Sequence, residues 1–225
     1  MATEPVHPPE PSPTVPSRSP RRAPSSDDRR RDAERSRQAL LDAALDEFAA
    51  KGFDGARVQD IAARAGVNKQ LIAYYFGGKE GLYQEIQRHW PEAEAERADP
   101  DLPLADTAAQ YLTAALADPR PARLVVWRGL TGAGTDSDYL EDAANVETDL
   151  TNLRRAQQRG EIAPDLDPAF VRMAVMSMVL APLMLPDAAV RAAGMEPGSP
   201  EFEDYYRTQL RTLIRRLGDG EETGR

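Results

Sequence analysis

The fold is decided between Val58 and Lys79, where the chain reads V-Q-D-I-A-A-R-A-G-V-N-K-Q-L-I-A-Y-Y-F-G-G-K. Val58, Ile61, Ala62 and Ala65 recur at helical spacing, which predicts a short helix over 58–65 with that face inward. Gly66 breaks it, since glycine enters a left-handed turn without steric cost. Val67 returns to the core, and Asn68 is a favourable N-cap for a second short helix that Gly77 and Gly78 close. The small side chains of Ala62 and Ala65 let two such helices cross closely, so the segment predicts a helix-turn-helix.

In such a unit the second helix enters the major groove of DNA with its N-terminal residues towards base edges. Lys69 and Gln70 fall in that first turn, where Lys suits guanine or phosphate and Gln suits adenine. A lysine there opposes the helix dipole by about 0.3–1 kcal/mol, a cost that an anionic partner such as DNA offsets. Tyr74 and Tyr75 can send hydroxyls to phosphate oxygens, with Tyr75 expected to be at least partly buried. Lys79, opening the next helix, is expected to reach a phosphate too.

Upstream, Leu41, Ala44, Leu45 and Phe48 form one apolar face of a helix that begins near Ala33 and stops at Gly52. Downstream, a helix from Lys79 is expected to bury Leu82, Tyr83, Ile86 and Trp90. Beyond Pro91, Pro and Gly punctuation predicts helices near 104–117, 121–131, 137–159, 168–185 and 200–217. No stretch alternates like a strand, so the fold class is all-α. Residues 1–24 hold eight prolines and almost no large apolar side chain, which predicts disorder. They lead into Arg18, Arg21, Arg22, Arg29, Arg30, Arg31, Arg35 and Arg37. That stretch fits an arm that tracks phosphates or enters the minor groove, and it equally fits a solvated tail diluted by Asp27, Asp28, Asp32 and Glu34. The expected division is a Pro/Arg-rich arm over 1–32, a DNA-binding domain over 33–93 and a second helical domain over 94–225.

The charge asymmetry fits two jobs, and equally fits a second part that simply has a soluble acidic surface. The 225 residues carry a net −9, yet residues 1–90 hold 14 Lys and Arg against 13 Asp and Glu, while residues 91–225 hold 14 against 24. Cysteine is absent and the histidines are His7 and His89 alone, which leaves little for a metal site or a catalytic triad. No run approaches the ~18 apolar residues of a membrane span, and no apolar block follows the N-terminal basic residues, so cytoplasm is the expected compartment, with no membrane partner. Gly77-Gly78-Lys79 fails as a phosphate loop, because Ala73 and Glu80 stand where that motif needs Gly and Ser or Thr. The expectation is therefore no enzyme, no cofactor and no metal; the rival reading is a helical adaptor whose N-terminal unit has lost DNA binding.

Residues 33–90 resemble the N-terminal domain of the TetR family of one-component transcriptional regulators. The resemblance rests on A-L-D-E-F-A-A-K-G-F-D-G-A (44–56), D-I-A-A-R-A-G-V (60–67) and Y-Y-F-G-G-K-E-G-L-Y (74–83). It implies DNA contacts at Gln59, Lys69, Gln70, Leu71, Ala73, Tyr74, Tyr75 and Lys79, with Asn68 opening the recognition helix. Two positions depart from the family pattern. Arg57 replaces a capping Ser or Thr, which would let Asp54 or Gly55 start the second helix and free Arg57 for phosphate. Ala73 replaces a common Tyr and removes one contact.

The resemblance further implies about nine helices and a C-terminal domain that binds a small-molecule effector and dimerises through its last two helices. The expected outcome is an operator-binding dimer, most often a repressor of an inverted-repeat site, released by its effector. Helix 168–185 is apolar nearly all round, as an element between a ligand domain and a twin subunit would be. Candidate dimer residues are Phe170, Val171, Met178, Tyr205, Leu210, Leu213, Ile214 and Leu217. Candidate pocket residues are Tyr111, Trp127, Leu130, Met173, Met176 and Met184, although an apolar stripe at this spacing also suits a plain core. Glu141, Asp142, Glu147 and Asp149 fit either a cationic ligand or a solvated helix face.

Overall fold

The computed structural model describes residues 26–95, 99, 101–131, 143–196 and 198–218. Among them the chain forms ten helices and no strand. These are α1 (Ser26–Gly55), α2 (Val58–Ala65), α3 (Gln70–Phe76), α4 (Lys79–Ala95), α5 (Leu104–Ala117), α6 (Pro119–Thr131), α7 (Ala143–Gln158), α8 (Pro168–Met184), α9 (Pro186–Ala193) and α10 (Pro200–Arg215). The all-α expectation holds, with three differences in detail. α1 starts at Ser26, so the last residues of the expected arm are helical; residues 1–25 lie outside the described residues. The helix expected over 137–159 is seen as α7, its first six positions and the acidic pair Glu141 and Asp142 lying outside the described residues. α9 is additional: Pro186 ends α8 and opens a further turn that Gly194 closes in the left-handed region.

The first domain is built around Leu40, Ala44, Phe48, Ile61, Ile72 and Leu82, all buried. Each large side chain among them stabilises the fold by roughly 1.5–3 kcal/mol. The Phe48 ring meets Tyr83 edge-on at 5.0 Å, and Phe53 lies the same distance from Tyr83. Val58, Ala65 and Val67 pack against this core as expected, while the side chain of Trp90 lies outside the described residues. α1 is broken at Gly52, whose backbone (φ 70°, ψ 175°) is not helical. α2 begins at Val58 with extended Arg57 before it and no side-chain cap, so neither Asp54 nor Gly55 starts it. Gly66 takes φ 67°, which lets Val67 donate back to the Ala62 carbonyl at 3.1 Å and turns the chain into α3.

The second domain has two linked cores. Ala105, Ala108 and Leu112 of α5 meet Val179 of α8 and Leu210 and Ile214 of α10. Alanines on α5 remove the bulk that would hold α10 away. Leu153, Ala156 and Ile162 meet Val171 at the other end of α8. The starts of α8 and α10 are well capped. Asp167 accepts from Ala169 N at 2.8 Å and Phe170 N at 3.0 Å, Ser199 accepts from Phe202 N at 3.1 Å, and each precedes a proline. The Tyr206 hydroxyl donates to the Met178 carbonyl at 2.7 Å, tying α10 to α8, and burial raises its pKa.

Candidate nucleic-acid interface

α3 is short, and its geometry follows from what starts and what anchors it. Asn68 Oδ1 accepts from Gln70 N at 2.9 Å, capping an otherwise open amide. Ile72 is buried at 1% exposure and pins the helix to α1 and α2. With that side held, Lys69, Gln70, Ala73 and Tyr74 are all exposed. Tyr74 is 79% exposed, an unusual position for an aromatic ring without a partner surface. Leu71 and Tyr75 are half-buried against the core, as is Phe76. Tyr75 is thus partly buried as expected, and Leu71 has only one edge to offer outside. Arg57, just before α2, and Gln59 in its first turn are both exposed. Lys79 lies with Nζ 4.5 Å above the Phe53 ring and 3.5 Å from the Asp54 carbonyl, so it is folded onto the end of α1.

A charged cluster that sequence reasoning missed joins α1, α2 and α6. Glu47 sits on the apolar side of α1 at 2% exposure, paired with Lys51 and 3.8 Å from Arg64. Asp46 beside it pairs with Arg64 of α2 at 3.5 Å and with Arg120 of α6 at 2.9 Å. Arg120 also grips Asp118 at 2.7 Å, and its guanidinium holds the Asp118 carboxyl below the ordinary aspartate range. Near the C-terminal end of α1, the Trp127 indole donates to the Ala49 carbonyl at 3.2 Å, and its ring lies 3.1 Å from where a Cβ on Gly52 would stand. The last turn of α2, the body of α1 and the start of α6 are therefore joined by one set of contacts. The available signal was the carboxylate of Glu47 within the stripe Leu41, Ala44, Phe48.

The family model described as bacterial regulatory proteins, tetR family, matches residues 40–86. A second, described as the tetracyclin repressor-like C-terminal domain, matches residues 103–216. The chain belongs to the TetR family of transcriptional regulators. Among relatives, the HTH-type transcriptional repressor SCO4008 of Streptomyces coelicolor is 29% identical over 194 residues, covering 83% of this regulator and 98% of its own chain. The HTH-type transcriptional repressor NicS of Pseudomonas putida is 36% identical over 89 residues, 36% of this chain and 42% of its own. The solved structure of regulator SCO4942 from Streptomyces coelicolor superposes with a TM-score of 0.65 at 28% identity, covering 81% of this chain and 97% of its own.

The second domain of this TetR-family regulator arranges its candidate residues differently from expectation. Val171, Leu210 and Ile214, expected as dimer contacts, are buried in their own subunit at 1–3% exposure, and Met178 and Leu217 are packed against the same cores. α10 turns Phe202, Tyr206, Leu210 and Ile214 inward, so these residues are already used within the subunit. Phe170, Tyr205 and Leu213 are exposed at 61%, 41% and 51%. The six pocket candidates are not brought together. Trp127 packs on α1; Leu130, Met173 and Met184 are exposed; Tyr111 packs into the α5–α10 core; Met176 is half-buried on α8. A cleft of about 220 Å³ lies elsewhere, between the start of α5 and the end of α10, lined by Leu104, Glu161 and Arg215 among others. Asp149 is engaged by Arg172 at 2.9 Å, and Glu147 by Arg154 at 2.9 Å, which favours the solvated-face reading for α7. No single helix among the described residues is long and apolar enough to cross a membrane.

Proposed function

We propose that this regulator is a repressor that binds an inverted-repeat operator as a homodimer and releases it when a small molecule occupies the C-terminal domain. The observation that carries the reading is α3 itself, capped by Asn68 and anchored by Ile72, with Lys69, Gln70, Ala73 and Tyr74 left on one exposed edge. Lys69 and Gln70 read base edges, and Ala73 leaves room for a thymine methyl. Tyr74, Arg57, Gln59 and, after leaving Phe53, Lys79 contact backbone phosphates or sugars. Leu71 and Tyr75 shape the edge from behind. Two copies pair through the α8–α10 side, where Phe170, Met173, Tyr205 and Leu213 expose apolar surface that a twin subunit would cover.

Release follows from linkage. Two recognition helices must stand about one DNA turn apart, ~34–36 Å, to enter successive major grooves. An effector that binds better to a subunit arrangement with another spacing weakens DNA binding by its differential affinity and no more. The contacts of Arg120 and Trp127 with α1 are the route by which a shift of α6 would reach the DNA-binding domain. A mobility-shift titration tests the reading on a duplex that the full chain selects from a random-sequence pool. The expected result is selection of one inverted repeat, bound with a steep inverse dependence on salt. Absent or salt-insensitive binding to every sequence would overturn it and favour the adaptor.

A further inference from the structure

The positive charge of the first domain is not where the recognition helix is. Residues 38–90, which contain the whole helix-turn-helix, hold six Lys and Arg against seven Asp and Glu. Residues 18–37 hold eight Arg against four Asp and Glu. Non-specific affinity for DNA comes from cations that displace counterions from phosphate, so a helix-turn-helix without net positive charge needs them from elsewhere.

The structure carries part of that charge to the interface on α1. None of the described side chains between Asp27 and Ala39 is buried, and the core begins at Leu40. From Leu40 back to Ser26 the helix runs ~20 Å, with Ala33, Ser36, Arg37 and Ala39 half-buried and the other described side chains before Leu40 exposed. A helix that is polar all round is marginal alone, and here pairs such as Arg35 with Asp32 at 3.4 Å support it. Its direction is fixed at two points. Near its C-terminal end, Ala49 and Gly52 lie against Trp127 of α6. At Arg37 the guanidinium lies 5.5 Å above the ring of Phe76, the last residue of α3, and pairs with Glu85 of α4. The turns before Arg37 therefore run on past the end of the recognition helix, away from α6. Arg30 precedes Arg37 by seven residues, two helical turns, and so lies on the same side of α1, with Arg29 next to it. Arg31 and Arg35 lie on the opposite flank with Gln38 and Asp42. All four arginines, 29, 30, 31 and 35, are exposed.

We propose that the N-terminal turns of α1 form a second DNA-contacting surface, in which Arg29 and Arg30 bind phosphates flanking the half-site that α3 reads. The occupant is duplex DNA, because the surface is continuous with the α3 edge through Phe76 and bears the charge that edge lacks. This rests on the recognition-helix reading and extends the footprint outward from it.

The test uses the full chain and the duplex it selects, once trimmed to the two half-sites and once carrying about one extra turn, ~10 bp, at each end. The wild type is expected to bind the longer duplex more tightly and with a steeper salt dependence. Arg29→Gln/Arg30→Gln should bind both duplexes alike, matching the wild type on the short one, with the slope of log K against log salt on the long one shallower by roughly 3–4 for a dimer, at ~0.9 per phosphate. Arg31→Gln/Arg35→Gln serves as the charge-matched control and should retain the length dependence. If Arg29→Gln/Arg30→Gln keeps the wild-type slope on the long duplex, the proposal is overturned. So it is by a control that loses the same slope, since the effect would then be net charge, or by wild-type binding that ignores duplex length. A wild type that selects no sequence would overturn the recognition-helix reading as well, which separates the two failures.

Discussion

Replacing Gly52 by Ala tests how the two domains are joined. Gly52 has φ 70° and ψ 175°, a region that residues with a Cβ scarcely enter, and forcing one there costs about 1–3 kcal/mol. The added methyl would also stand 3.1 Å from two carbons of the Trp127 ring. That ring is held by its bond to Ala49 and cannot simply withdraw, so overpacking adds about 1–3 kcal/mol. The sum is roughly 2–6 kcal/mol, and at about 2–4 °C per kcal/mol for a chain of this size the melting midpoint should fall by about 4–24 °C. Thermal unfolding of a double-mutant cycle separates the parts. In a Trp127→Ala background the backbone cost persists while the ring cost disappears, so Gly52→Ala should be milder there by about 1 kcal/mol or more. An equal cost in both backgrounds would refute the Gly52–Trp127 contact. A cost below ~0.5 kcal/mol in the wild type, the range of an ordinary surface change, would refute the backbone argument too.

Glu47→Leu should leave stability unchanged or raise it by about 1–4 kcal/mol in urea unfolding, because the buried carboxylate is lost while Lys51 keeps Asp60, Arg64 keeps Asp46 and both cations stay half exposed; marked destabilisation would contradict this. Asp167→Ala removes the cap of α8 and should cost about 1 kcal/mol, with amide exchange accelerating first at Ala169 and Phe170. The Asp118 carboxyl, held low by Arg120, contributes stability that is complete above the ordinary aspartate range and is lost as pH falls below it. Carboxyl NMR should show Asp118 titrating at lower pH in the wild type than in Arg120→Gln, and identical titrations would exclude the ion pair.

What could be read from the sequence followed local rules. The turn at Gly66, the cap at Asn68 and the anchor Ile72 all lie within a few residues of what they control, so α2 and α3 are legible without any tertiary contact. Arg57 shows the limit: it looks unable to start a helix, yet α2 starts directly after it because Val58 and Ile61 are fixed by packing. α9 escapes a sequence reading although Pro186 and Gly194 mark its ends, because the apolar run before it reads as a single helix. The second domain was least legible. Periodicity shows that α10 has an apolar face, but which of Leu210 and Leu213 turns inward depends on the alanines of α5, far away in sequence. Trp127 looks like a pocket residue because nothing near it in sequence reveals that Ala49 and Gly52 receive it.

The central claim is that the helix opened by Asn68 meets DNA with Lys69 and Tyr74. The most direct measurement is the affinity of Lys69→Ala/Tyr74→Phe for the selected duplex, beside the wild type and at one fixed salt concentration. With base and phosphate contacts worth about 1–3 kcal/mol each, affinity should fall tenfold or more, while the melting midpoint stays put because both side chains are exposed. An unchanged affinity would show that another surface reads the DNA.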